Sequence, residues 1–302
     1  MTDLILHGYD GSPFTQRALK MLAIKRLGWR WVETPMVLPK DDLVALTGGY
    51  RGTPVLQIGA DVYIDSQRIA AELERRFPEP TLFPGGNAGV GYAMVKWADA
   101  YFRAGLQMAI GITSPHWPAE FRADRQKVFP DIDFANIDVD QARSQLRAHA
   151  SFVELQLADG RKFLGGDAPG MLDIHAWTVP WFARPWMPVV SELLAAFTKM
   201  AEWEARVASL GEGRRSAATA EQAFAAARAA TPLPGVVDPA DAQALKGGET
   251  VEVGPEEEMR RGDVRGTVVA ATVNEIAVRR SDPKCGEVVV HFPRLGYRVR
   301  RV

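Results

Sequence analysis

Apolar and polar residues follow two different rhythms in the first eighty positions. Leu4–His7 is a short apolar run with the length of a buried strand. A helical pattern follows over Thr15–Arg26, with Leu19, Leu22 and Ala23 on one face and Gly28 after its end. Trp29–Val32 predicts a second strand. Pro54–Ile58 and Val62–Ile64 flank Gly59-Ala60-Asp61, which has the makings of a hairpin turn. Asp65–Phe77 predicts another helix: Ile69, Leu73 and Phe77 recur at helical spacing, and Ser66 is placed to cap it. The order βαβ…ββα predicts a small α/β domain with a mixed sheet over residues 1–80.

The rhythm then changes twice. A Pro/Gly-rich stretch, PEPTLFPGG, precedes a long helical region. Met94, Trp97 and Tyr101 share one face. So do Ala142, Leu146, His149, Val153 and Leu157, and Leu193, Leu194, Phe197, Met200, Ala201 and Val207 form a third stripe. With an Ala-rich helix at Ala217–Ala230, residues 86–230 predict an all-α domain. The Pro-rich segment TPLPGVVDPAD reads as a linker. Beyond it TVEV, GTVVAATV, EIAVRR, EVVVHF and YRVRRV are five short β-like runs separated by turn residues. They predict a small, barrel-like β domain over 242–302.

Composition narrows the function classes. The chain has 302 residues, 24% of them charged, and a net charge of −1, so no global field recruits nucleic acid or membrane. Its one cysteine, Cys285, cannot form an internal disulfide, which fits a reducing, cytoplasmic setting. The first residues lack a signal peptide's pattern and no apolar run is long enough to span a membrane, so neither a leader nor a membrane span is expected. The five histidines lack metal-ligand spacing, so no metal is expected. The basic end of the chain, with Arg294, Arg298, Arg300 and Arg301, alternates with Tyr297 and Val299 as the solvated face of a strand would. Glu256, Glu257 and Glu258 offset it, and nucleic acid is not the expected partner.

Three short motifs carry candidate chemistry. Ser12-Pro13-Phe14-Thr15 opens the first helix and puts a hydroxyl at a helix N-terminus, where an anion is favoured. Thr53-Pro54 stands directly before a strand, a natural place for a cis peptide bond. Asp65-Ser66 opens the next helix, where backbone N–H groups and a hydroxyl can hold a carboxylate. Together, and in this order, they resemble the glutathione transferase superfamily over roughly residues 1–210. The resemblance implies a thioredoxin-like N-terminal domain, an all-α C-terminal domain and a homodimer. Ser12 then belongs to a turn like that of the serine- and cysteine-type classes, with Phe14 beside it. Thr53 and Pro54 would meet the cysteinyl part of glutathione, and Asp65 and Ser66 its γ-glutamyl group. Lys40 and Arg51 are candidates for the glycyl carboxylate. The segment FLGGDAPGMLDIHAW resembles the family's helix-capping segment, with Asp173 in place but Gly170 where a Ser or Thr is usual. The β domain resembles an addition found on some bacterial and fungal members.

Glutathione's thiol titrates at about 8.5 when unperturbed. A hydrogen bond from Ser12 to the thiolate contributes about 1.5–3 kcal/mol, and the helix N-terminus about 0.3–1 kcal/mol. At about 1.4 kcal/mol per pKa unit, that leaves the bound thiol largely ionised at neutral pH. Disulfide exchange through the protein needs a protein thiolate instead, and this turn has none, so conjugation or peroxide chemistry is expected over a redox role. Tyr9 is a rival hydroxyl, and Thr15 could share the thiolate contact. Trp117, Trp177 and Trp181 are candidates to wall an apolar electrophile's site, against the plainer reading of helical core. Two other readings stay open: a non-catalytic binding or scaffold protein on the same fold, and a glutathione-dependent lyase or isomerase with a narrow substrate.

Overall fold

A computed structural model describes residues 3–256 and 261–302. Strand β1 (Ile5–Gly8) leads into helix α1 (Pro13–Ile24), then β2 (Gly28–Glu33), α2 (Asp41–Thr47), the hairpin β3 (Val55–Ile58) and β4 (Asp61–Ile64), and α3 (Ser66–Arg76). This is the thioredoxin-type arrangement: β1 pairs parallel with β2 and antiparallel with β3, which pairs antiparallel with β4. Helix α2 had no counterpart in the sequence pattern; its seven residues are too few to show a period. Pro13 stands in the first turn of α1, where its missing N–H costs nothing. Asp65, not Ser66, caps α3: its carboxylate accepts from Gln67 N at 2.9 Å, and Ser66 is already helical.

The helical part comprises α4 (Ala88–Thr113), α5 (Ala119–Val128), α6 (Val139–Gln156), α7 (Met171–Trp186), α8 (Val189–Leu193) and α9 (Thr198–Ala208). The three stripes read from the sequence meet here, with Tyr101, Leu146, Val153, Met200 and Val207 in one core. Helix α7 is held by Asp173, which is fully buried. Its carboxylate accepts from Leu164 N, Gly170 N and Trp203 Nε1 at 2.7, 3.0 and 2.8 Å. Gly170 stands at the cap because there is no room for more. A Cβ there would lie 2.6 Å from Pro84 Cδ and 2.8 Å from Leu82 O.

After α9 comes β5 (Arg214–Ala217), which pairs parallel with β2 on the sheet's outer side, and then α10 (Ala220–Arg228). The Pro-rich segment is pinned rather than free. Leu233 N donates to the Asp61 carboxylate, and Asp238 N and Ala271 N bond with the carbonyls of Ala271 and Val236. The five expected strands follow: β6 (Thr250–Pro255), β7 (Val264–Ala271), β8 (Glu275–Asp282), β9 (Gly286–Pro293) and β10 (Tyr297–Arg301). Among the described residues they do not close on themselves. β9 pairs parallel with β4, so one ten-stranded sheet runs β10-β6-β7-β8-β9-β4-β3-β1-β2-β5. The sequence could not show this, because a strand's own pattern says nothing about which distant edge it joins.

Period-two alternation sorts the side chains. Leu56 and Tyr63 face α1 and α3. Val55, Val62 and Ile64 face the other way, into a core shared with α2, α10 and the late strands. The basic chain end is matched locally. Arg298 pairs with Asp263 at 2.8 Å, Arg294 with Asp241 and Arg301 with Glu249. Of the acidic run set against it, Glu257 and Glu258 lie outside the described residues. No helix among the described residues is long and apolar enough to cross a membrane.

Candidate functional site

Ser12 is 2% exposed and caps α1, its Oγ accepting from Thr15 N at 3.2 Å. That bond uses a lone pair and leaves the hydroxyl proton free to be donated. Thr15 itself is buried, and its Oγ1 has no partner among the described residues. The Thr53–Pro54 peptide bond is cis, as its place before β3 predicted.

Pro54, Phe14, Asp65 and Ser66 line one cavity of about 100 Å³ between the sheet and α4. Four of the predicted residues therefore converge, while Ser12, Thr53 and Tyr9 are not part of its lining. The fold adds charged residues that the sequence did not point to: Arg17 from α1, Asp99 and Arg103 from α4, and Arg261 from just before β7. Arg17 Nη1 donates to Asp99 Oδ1 at 3.2 Å, and its Nε reaches Thr178 Oγ1 at 3.4 Å. Its Nη2 is buried without a partner among the described residues. Burial pulls the Arg17 pKa down, with Asp99 opposing, and pushes the Asp99 carboxyl up, with Arg17 opposing. Arg17 left one sequence signal: a charge on the face of α1 that is otherwise buried. Apolar walls come from Phe102, Leu106 and Phe129, with Phe14 edge-on to Phe102 at 5.2 Å between centroids.

The three tryptophans do not line this cavity. Trp177 is 4% exposed in the helical core, its Nε1 donating to Glu204 O at 3.2 Å, and Trp181 packs beside it. Trp117 sits with Phe121 and Phe134 in a satellite cluster. Large aromatics at helical spacing were core here, and the cavity took its rings from Phe14, Phe102 and Phe129. Lys40 and Arg51 lie outside the cavity lining, before α2 and before β3. Lys40 Nζ stands over the half-buried Tyr9 ring at 5.4 Å. Burial, reinforced by Arg51 and Arg125, lowers its pKa to about 8. Arg51 is engaged with Asp124 at 2.7 Å. Cys285 is buried in the turn between β8 and β9, its Sγ directed at Ala45 O at 3.6 Å, and burial pushes its thiol pKa up.

Comparison with known proteins bears directly on this arrangement. Residues 6–81 match the family model for the glutathione S-transferase N-terminal domain, and residues 136–206 that for the C-terminal domain. Among solved structures, a GST-like protein from Pseudomonas syringae is 33% identical over the whole of both chains, with a TM-score of 0.82. Its likeness therefore extends through the late strands. A glutathione S-transferase from Rhodospirillum rubrum is 21% identical over 68% of this chain and 88% of its own, with a TM-score of 0.52. Rice GST1, solved in complex with glutathione, is 22% identical over 73% of this chain and 92% of its own, with a TM-score of 0.50. No curated protein matches. A whole-length relative at this identity, with both domain models in their expected order, places the chain in the glutathione S-transferase family.

Proposed function

We propose that the chain is a glutathione-dependent transferase in which Ser12 donates a hydrogen bond to the glutathione thiolate. The observation that carries this reading is the geometry of the SPFT turn. Ser12 Oγ is fixed by Thr15 N with its proton unspent, at the N-terminus of α1. In this reading Thr53 and Pro54 meet the cysteinyl part. Asp65 and Ser66 hold the γ-glutamyl head, with Arg17 and Asp99 behind them. Lys40 and Arg51 take the glycyl carboxylate. The second substrate is a small electrophile with an apolar body that packs on Phe14, Phe102 and Phe129. By the family's habit, the chain would act as a homodimer in the cytoplasm.

The test is the ultraviolet absorbance of bound glutathione thiolate against pH, in wild type and Ser12→Ala. The expected result is a thiol pKa depressed by one to two units, from about 8.5, which Ser12→Ala restores. Glutathione bound with an unshifted thiol would instead support a non-catalytic binding protein. No binding at millimolar glutathione would reject the reading altogether.

A further inference from the structure

The β strands at the end of the chain reach back into the cavity. Residues 261–263, which lead into β7, lie against the segment before cis-Pro54: Arg51 N donates to Arg261 O at 2.7 Å. Gly262, at a φ of +90°, passes so close that a Cβ would fall 2.2 Å from Gly49 O, an approach open only to glycine. Arg298 grips both oxygens of Asp263 at 2.8 Å and ties the same three residues to β10. The Arg261 side chain then runs over Gly52. Nη1 donates to Tyr50 Oη at 3.1 Å, and the guanidinium carbon stands 4.6 Å from the centre of the Phe14 ring. From β10, Tyr297 Oη donates to Asp65 Oδ2 at 3.3 Å. Two late residues therefore touch two of the residues placed in the glutathione site.

The cavity's charges divide into three guanidinium groups, Arg17, Arg103 and Arg261, and two carboxylates, Asp65 and Asp99. Such a wall is complementary to a zwitterion. It suits an α-amino acid head, whose ammonium pairs with carboxylates and whose carboxylate fits the planar fork of an arginine. We propose that Arg261 is a ligand-binding residue of the glutathione site, taking the α-carboxylate of the γ-glutamyl arm beside Asp65 and Ser66. The proposal rests on the glutathione reading above. It makes the late β strands a working part of the site. The buried Nη2 of Arg17, without a partner among the described residues, lies in the same wall and marks a place where an acceptor is wanted.

The experiment is calorimetric titration of the full chain with two tripeptides: glutathione, and 4-aminobutyryl-cysteinyl-glycine, which lacks only the α-carboxylate. Wild type, Arg261→Ala, Arg261→Lys and a control, Arg265→Ala, at an exposed position on β7, are compared. The expected result is that Arg261→Ala weakens glutathione by about 10- to 100-fold and leaves the analogue's affinity almost unchanged. Arg261→Lys then falls between, and Arg265→Ala matches wild type. If Arg261→Ala binds glutathione as well as or better than wild type, or keeps the full preference over the analogue, the proposal is wrong while the glutathione reading stands. Wild type that binds neither tripeptide overturns both. Should Arg261→Ala fail to fold, Arg261→Lys decides by the same comparison.

Discussion

His291 Nε2 lies 2.9 Å from Asp61 Oδ1, across the parallel junction of β9 and β4. Nδ1 of the same ring lies 2.6 Å from Glu275 Oε1, and the ring stacks on Tyr63 at 4.5 Å. The ring is therefore shared between the glutathione-transferase sheet and the added strands, with Arg68 Nε 3.7 Å from Glu275 on its far side. Burial opposes a charge on the imidazole, but the two carboxylates outweigh it and raise its pKa. At Glu275 burial pushes the carboxyl pKa up, but the hydrogen bond to His291 and the charge of Arg68 outweigh it and lower it.

The sign of the pH effect follows. A raised imidazole pKa gives stability that is fully present below the unfolded value of about 6.5 and lost as pH rises through the folded value. The lowered Glu275 pKa gives stability present above the unfolded value of about 4.3 and lost as pH falls through the folded one. Denaturant midpoints between pH 4 and 9 should show wild type exceeding His291→Gln most between these two limits. The gap should narrow on the alkaline side. A gap independent of pH would mean the imidazole is neutral in the folded protein.

Lys40 makes a second pH prediction, this time for binding. Its pKa of about 8 means that its positive charge fades across the weakly alkaline range. If it meets the glycyl carboxylate, glutathione affinity should fall as pH rises from 7 to 9. Lys40→Met should bind more weakly at pH 7 and lose that part of the pH dependence. Fluorescence titration of both proteins over this range tests it. Identical profiles would remove Lys40 from the site.

Replacing Ser12 by cysteine should turn the turn's anion-stabilising geometry on a protein thiol. Cysteines at helix N-termini titrate at about 3.5–7.5, so the rate of iodoacetamide labelling of Ser12→Cys should already be near its plateau at neutral pH. Burial pushes the Cys285 thiol pKa up, so wild type should label only on the alkaline side. A labelling midpoint at or above about 8.5, the free thiol value, would show that the turn does not stabilise anions.

The α7 cap should be sensitive in two ways. Asp173→Ala strands three buried donors, the N–H groups of Leu164 and Gly170 and the Trp203 indole, at about 1–3 kcal/mol for each one left unmatched. Gly170→Ala forces a Cβ against Pro84 and Leu82 and should cost about 1–3 kcal/mol through overpacking. Urea unfolding measures both. A Gly170→Ala protein as stable as wild type would show that the Pro84 loop yields freely.

What the sequence made legible follows from how local each signal is. The cis bond at Pro54, the hydroxyl at the head of α1, the Asp-Ser pair and the five late strands are each written within a few adjacent residues. The Ser66 cap was misplaced by one position, because Asp65 and Ser66 are both good caps and only the backbone decides between them. The tryptophans misled because helical spacing marks a buried face without saying what it is buried against. Arg17 and Asp99 come together from helices 82 residues apart. Arg261 reaches Phe14 only because β9 pairs with β4 and carries the late strands alongside. Such pairings are decided by tertiary packing and leave no local trace.

The joining of β9 to β4 also decides what the sheet shows to other molecules at its margins. An unpaired outer strand is a template on which another extended chain can add itself. In this protein the flank of β4 is covered, and the row ends at β10 on one side and β5 on the other. Both terminal strands are rich in arginine. Arg300 and Arg301 on β10 are exposed, as are Arg214 and Arg215 on β5. A second copy approaching either margin meets long charged side chains, Arg301 with Glu249 and Arg215 with Asp10, before it meets a backbone. Charged side chains on a terminal strand are the kind of feature that disfavours edge-to-edge addition.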